Sequence, residues 1–195
     1  MKHFLMLVAL LITVIAMASF HSPDPPIKME SAKEITLTIL YDNYKYEDGF
    51  KNSWGFSCLI EGAHTVLVSD AVKITDNVWS TGEMGIEIIE RSMVIQTPKG
   101  LVVITGCAHP GIEDIVAKAV EIKDEPVLLV MGGFHLLRTG TDAVEVIARE
   151  FKDKHIQYAA PTHCSGDGTI RVFQEVFGEQ YLKLGTGKVI QTAKL

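Results

Sequence analysis

Positive charge is thinly spread along this chain. Its 195 residues hold 18 lysines and arginines against 24 aspartates and glutamates, a net charge of −6. No basic cluster interrupts that balance, which excludes the electrostatic footprint of a nucleic-acid-binding surface. Cysteine is scarce too. Cys58, Cys107 and Cys164 are too few and too scattered for a disulfide framework. A Cys107–Cys164 bridge in an oxidising compartment stays open, and Cys58, inside GFSCLIEG, reads as a small buried hydrophobe. Long apolar runs are missing except for one at the start.

That run is MKHFLMLVALLITVIAMASF. Basic Lys2, an apolar stretch from Phe4 to Ala16 and the small-residue site Ala16-Met17-Ala18 make a signal-peptide pattern over residues 1–18, with cleavage expected after Ala18. The expected location is outside the cytoplasm, periplasmic or secreted. The alternative is an uncleaved membrane anchor, since the uncharged residues 4–20 sit at the lower length limit for a span. No cysteine follows the run, so a lipid-anchored form is not expected. Residues 19–33, SFHSPDPPIKMESAK, are Pro-rich and polar and read as a flexible leader. Residues 34–195 read as one domain.

The first half of that domain has β rhythm. EITLTILYD (34–42) and GFSCLIEG (55–62) carry alternating or β-branched residues, and HTVLVSD (64–70) follows closely enough to pair with the latter as a hairpin. SMVIQTPKGLVVITG (92–106) is two strands around a Pro-Lys-Gly turn. The second half alternates strand and helix. LVVITG leads, after Pro110, into a helix with Ile112, Ile115, Val116, Ala119 and Val120 on one face. PVLLVMGG (126–133) precedes a helix with Val144, Ile147, Ala148 and Phe151 inward. IQYAAP (156–161) precedes one with Ile170, Phe173, Val176 and Phe177 inward, and QYLKLGTGKVIQT closes with a short β element. Fully apolar strands alternating with helices predict a covered, largely parallel sheet in this half, hence an α/β fold.

Each of the three strand-to-helix turns carries a histidine: GCAHPG with His109, GGFHL with His135 and PTHCSG with His163. Ligand sites in such sheets lie beyond the carboxyl ends of the strands. Parallel strands would therefore bring three imidazoles to one sheet edge, and imidazole is the commonest protein ligand for transition metals. Gly106, Gly132 and Gly133 would shape the turns and let backbone approach an ion or substrate. Any one of these histidines could instead be satisfied by a neighbouring carbonyl; the repetition at one offset favours a metal or anion site. Asp70 is a candidate fourth ligand, against the alternative of a solvated strand-end residue. Cys164, beside His163, reads as structural.

The order GCAHPG, GGFHL, PTHCSG and FGEQYLKLGTGKVI, with ILYDNY and DNVWSTGE upstream, resembles the metallo-β-lactamase superfamily. The similarity runs from residue 35 to 192 and points to the branch of the dihydropterin-methyl-ribofuranosylaminobenzene-phosphate synthases. The resemblance implies an αββα sandwich with a metal site at one sheet edge. It makes His109 the later metal histidine, places His135 at the bridging position and makes His163 the final histidine. It also implies a metal-activated water or a metal-stabilised oxyanion.

One departure is large. The family's HxHxDH motif and its preceding D-T-G turn are absent, and the chain passes from Asp70 to Trp79 in a few residues. The expected fold is therefore a shortened αββα sandwich, reduced near residues 70–79. The expected site is incomplete: a weakly held zinc or other divalent transition ion, since catalytic zinc sites use three protein ligands plus water. The expected function is that of a metal-dependent hydrolase or transferase acting on a small anionic molecule. The competing expectation is a catalytically inactive exported binding module or a relic of an internal deletion. Membrane contact is expected only through the N-terminal segment, and exposed apolar surface is expected where the lost segment would have lain.

Overall fold

Strand residues that alternate between two faces need a partner layer on each, and this chain supplies both. The computed structural model describes residues 36–42, 46, 48–49, 56–61 and 69–195. The expected signal peptide, leader and most of the 64–70 strand lie outside the described residues; Ser69 and Asp70 form an exposed bend.

A six-stranded sheet runs in the order β3-β4-β5-β6-β7-β8. Its members are β3 (Val72–Thr75), β4 (Val78–Ser80), β5 (Met93–Thr97), β6 (Gly100–Thr105), β7 (Val127–Gly133) and β8 (Tyr158–Thr162). The first four strands pair antiparallel; β3–β4 and β5–β6 turn tightly, while an irregular segment from Thr81 to Ser92 joins β4 to β5. β6, β7 and β8 pair in parallel, as the strand–helix alternation predicts. A second sheet holds β1 (Thr36–Asp42) between β2 (Phe56–Glu61) and β9 (Val189–Gln191), antiparallel to both. The edge of the larger sheet is the hairpin β3–β4, turned by Asp76-Asn77 with Asn77 at φ 64°.

Period-two alternation decides which layer each β6 side chain joins. Leu101 and Val103 face the helices, while Val102 and Ile104 face the small sheet. In β7 the register skips a residue beside Leu101–Val102, so Leu128 and Leu129 both serve the sheet–sheet core. That core also takes Leu37 and Ile39 of β1 and Ile190 of β9. The opposite face is covered by α1 (Ile112–Ile122), α2 (Thr141–Asp153) and α3 (Gly166–Phe177). Phe134, Phe151, Phe173 and Phe177 pack there with ring centroids 5.3 to 6.2 Å apart.

The helix faces differ from expectation in detail. Val120 is exposed, because α1 is already covered by Ile112, Ile115, Val116 and Ala119. In α3 the buried stripe is Thr169, Val172, Phe173 and Phe177, and Ile170 and Val176 are only half-buried at its margins. Pro110 lies ahead of α1 rather than in its first turn; Gly111, at φ 106°, is the residue at the helix start. Among the described residues no helix is long and apolar enough to cross a membrane.

Candidate metal centre

Parallel pairing places the ends of β6, β7 and β8 side by side. Thr105 pairs with Gly132, and Gly133 pairs with Thr162, so the following turns open into one crevice. Hydrogen bonds tie those turns together. Gly133 N donates to Gly106 O at 2.9 Å. Phe134 N donates to Ser165 Oγ at 3.0 Å, and Ser165 Oγ donates to Thr162 O at 2.6 Å. Leu137 N donates to Cys164 O at 3.2 Å.

The backbone is bent sharply where the histidines stand. His135 and His163 have φ of 54° and 53°, and Ala108 has 63°. Left-handed backbone costs free energy in residues with a side chain, and such residues concentrate at functional sites. Space is as tight as conformation. A Cβ on Gly132 would lie 2.2 Å from Thr105 O, and one on Gly133 would lie 2.5 Å from Gly106 O. At Gly106 a Cβ would meet nothing nearer than Glu90 Oε1 at 3.6 Å.

Two of the three histidines meet directly. The rings of His109 and His135 are 4.3 Å apart at their centroids, tilted by 48°. His163 turns instead to the thiol of Cys107, with Nε2 3.0 Å from Sγ. Cys164 Sγ donates to Cys107 O at 3.2 Å. Asp70 stays on its exposed bend and joins neither group of potential ligands among the described residues.

Glu90 is a member of the site that the strand and helix patterns did not single out. Its carboxylate accepts from His109 N at 2.7 Å and from Cys107 N at 3.3 Å, so it pins the first turn. His109 Nδ1 lies 3.0 Å from Glu90 Oε1 yet off line for a hydrogen bond, a close approach without a directed bond. Glu90 thus fixes the His109 turn through the backbone and sets a carboxylate beside the imidazole. Glu90 sits in irregular chain between β4 and β5, where no periodicity marks it.

Burial first of all raises both thiol pKa values. Cys107 is pushed up by burial and by Glu90, opposed by its hydrogen bond with Cys164. Cys164 is pushed up to about 12, by burial and then by Cys107, with the His135 backbone opposing. Two overlapping donor groups result: Cys107, His163 and Cys164, and Glu90, Cys107 and His109, the ligand atoms of each lying within 4.8 Å of one another. Imidazole, thiol and carboxylate around one crevice fit a zinc-like divalent ion. A cleft of about 390 Å³ opens beside them, lined by Gly85, Ile86, Ile88, His109, Pro110 and His135, among others.

This is a metallo-β-lactamase-like architecture, and comparison with known proteins finds it independently. A crystal structure described as Tm1679, a metal-dependent hydrolase of the β-lactamase superfamily, superposes with a TM-score of 0.70. The match has 19% identity, over 80% of this chain and 98% of that one. The particular sequence relative is the 7,8-dihydropterin-6-methyl-4-(β-D-ribofuranosyl)-aminobenzene-5′-phosphate synthase of Methanocaldococcus jannaschii, 33% identical over 103 residues. That alignment takes in 52% of this chain and only 35% of the synthase, so the chain spans about a third of the length of the relative. No protein-family model matches. The chain thus has a metallo-β-lactamase-like fold, and part of it is similar in sequence to that synthase, as the motif order read from its sequence implies.

Proposed function

We propose that the crevice beyond β6, β7 and β8 is a reduced metal centre, serving a hydrolase or transferase that acts on small anionic molecules. The observation that carries this reading is the convergence of three strand-end turns. His109 and His135 stand ring to ring, and His163 is held among thiols in the adjoining turn. His109, His135 and His163 would hold the ion. When bound, it would supply Lewis-acid activation of an oxygen.

The rest falls to the chain's own side chains. Glu90 holds the His109 turn through two backbone N–H groups and faces Nδ1. Gly132 and Gly133 allow the strand ends to lie close enough for the turns to adjoin. Ile86 and Ile88 stand at the solvent-exposed rim of the cleft beside His109 and His135. With no HxHxDH motif in the sequence, one ion in a three-histidine shell is the capacity proposed, rather than two.

The test is the metal content of the purified chain, with and without added zinc, beside a His109→Ala/His135→Ala/His163→Ala variant. Near-stoichiometric zinc that disappears in the variant is the expected result. Screening with small phosphate and acyl esters would then follow. Zinc no higher than in the variant would sink the reading and leave the second one, an inactive binding module, which the missing motif favours.

We also infer export, from Lys2, the apolar run and the Ala16-Met17-Ala18 site. N-terminal sequencing of protein recovered outside the cytoplasm should begin at Ser19; recovery only from the cytoplasm with Met1 intact would refute it.

A further inference from the structure

Cys107 and Cys164 follow β6 and β8, two strands that are not neighbours, because β7 lies between them. Their side chains nevertheless meet. The gap is left by Gly133, the last residue of β7. A Cβ there would stand 2.8 Å from Cys164 Sγ and 3.1 Å from Cys107 Cα. His163 turns to the same thiol, its Nε2 3.0 Å from Cys107 Sγ. Cys164 and His163 are each only 6% exposed, while Cys107 is half-buried and faces the crevice. Two thiols and an imidazole are thus held by a backbone whose turns are hydrogen-bonded to one another.

We propose that Cys107, His163 and Cys164 form a thiolate–imidazole site for zinc or a similarly thiophilic cation, and that sulfur rather than the other two histidines dominates ion binding in this crevice. Ligand atoms around a tetrahedral zinc stand about 3.5–3.8 Å apart, given Zn–S bonds of about 2.3 Å. The separations here, from 3.0 Å up to no more than 4.8 Å, bracket that range, so small side-chain rotations complete the geometry. Soft sulfur donors select zinc and like ions over magnesium or calcium. Binding replaces the two S–H bonds by two S–metal bonds, and both protons leave to solvent. The inference rests on the metal reading above for the ion and for His163, and replaces His109 and His135 in its shell by the two thiols.

Cobalt(II) titration of the fully reduced protein tests it, because sulfur-to-cobalt charge transfer gives a near-ultraviolet band that imidazole ligation lacks. The wild type and a His109→Ala/His135→Ala variant should both develop the band, and Cys107→Ser should lose it. A second measurement covers misfolding of any variant. Saturating zinc should slow N-ethylmaleimide labelling of Cys107 in the wild type by about tenfold or more, followed by peptide mass mapping. Cobalt bound without the charge-transfer band, and lost in the double-histidine variant, would overturn this inference while the metal reading stands. No cobalt bound at all would overturn both.

Discussion

Gly133 and Gly106 stand in adjoining strand-end turns, yet a methyl group meets different neighbours at each. At Gly133 it would press on Gly106 O at 2.5 Å and fill the gap between the thiols. That carbonyl is held in place by its hydrogen bond from Gly133 N. Gly133→Ala should therefore cost about 1–3 kcal/mol in urea unfolding, the range for overpacking a filled site. Gly106→Ala, with only Glu90 Oε1 at 3.6 Å, should stay within about 0.5 kcal/mol of the wild type. Equal losses at both positions would mean that the gap does not set the packing of the turns. The same scale shows what could be read in advance. His109, His135 and His163 were visible because each ends an apolar run. Glu90 was not, because it reaches the turn from irregular chain and carries no periodic mark.

Among the elements, charge couples the start of α1 to the end of α2. Glu113, in the first turn of α1, has its carboxyl pKa raised from the ordinary 4.5. Burial is the largest cause, then repulsion from Glu150 of α2; Asp114 adds to it and Lys154 opposes. A raised folded-state pKa means that the folded chain holds this proton more tightly than the unfolded one. The stabilisation is then complete below the unfolded value and is lost as pH rises through the folded value. Glu113→Gln, which cannot ionise, should gain on the wild type in urea midpoint as pH goes from about 4 to about 7. A gap that does not widen over that window would refute the assignment. Hydropathy alone placed all three helices. It misjudged Val120 and Ile170, because an apolar helix face need not be fully covered by the layer beneath it.

For the molecule as a whole, the described residues form two sheets with a helical layer over the larger one, and apolar surface remains beside the crevice. Met84 and Glu90 pair by two backbone hydrogen bonds of 2.9 Å, and the loop they close carries Ile86, Ile88 and Ile89 outward. Ile86 is 95% exposed, at the mouth of the cleft that holds His109 and His135. Contiguous exposed apolar groups beside a polar site mark binding surface or association-prone surface. Ile86→Ser together with Ile88→Ser should weaken binding of a hydrophobic fluorescent dye to the folded protein. The pair should shift stability by no more than about 0.5 kcal/mol each, since neither side chain is in the core. Unchanged dye binding would place the apolar surface elsewhere.

Local pattern was enough for the strand–turn–helix repeats, the parallel run of β6, β7 and β8, and the three histidines at their ends. Those features depend on hydrophobic period and on turn residues only a few positions apart. The composition of the site was settled at longer range. Glu90 reaches His109 from the end of the loop closed by its backbone pairing with Met84. Cys164 reaches Cys107 because strand register aligns Gly133 between them. Contacts of that kind join residues far apart in sequence, so only the paired strands and the missing Cβ between them bring sulfur and imidazole together.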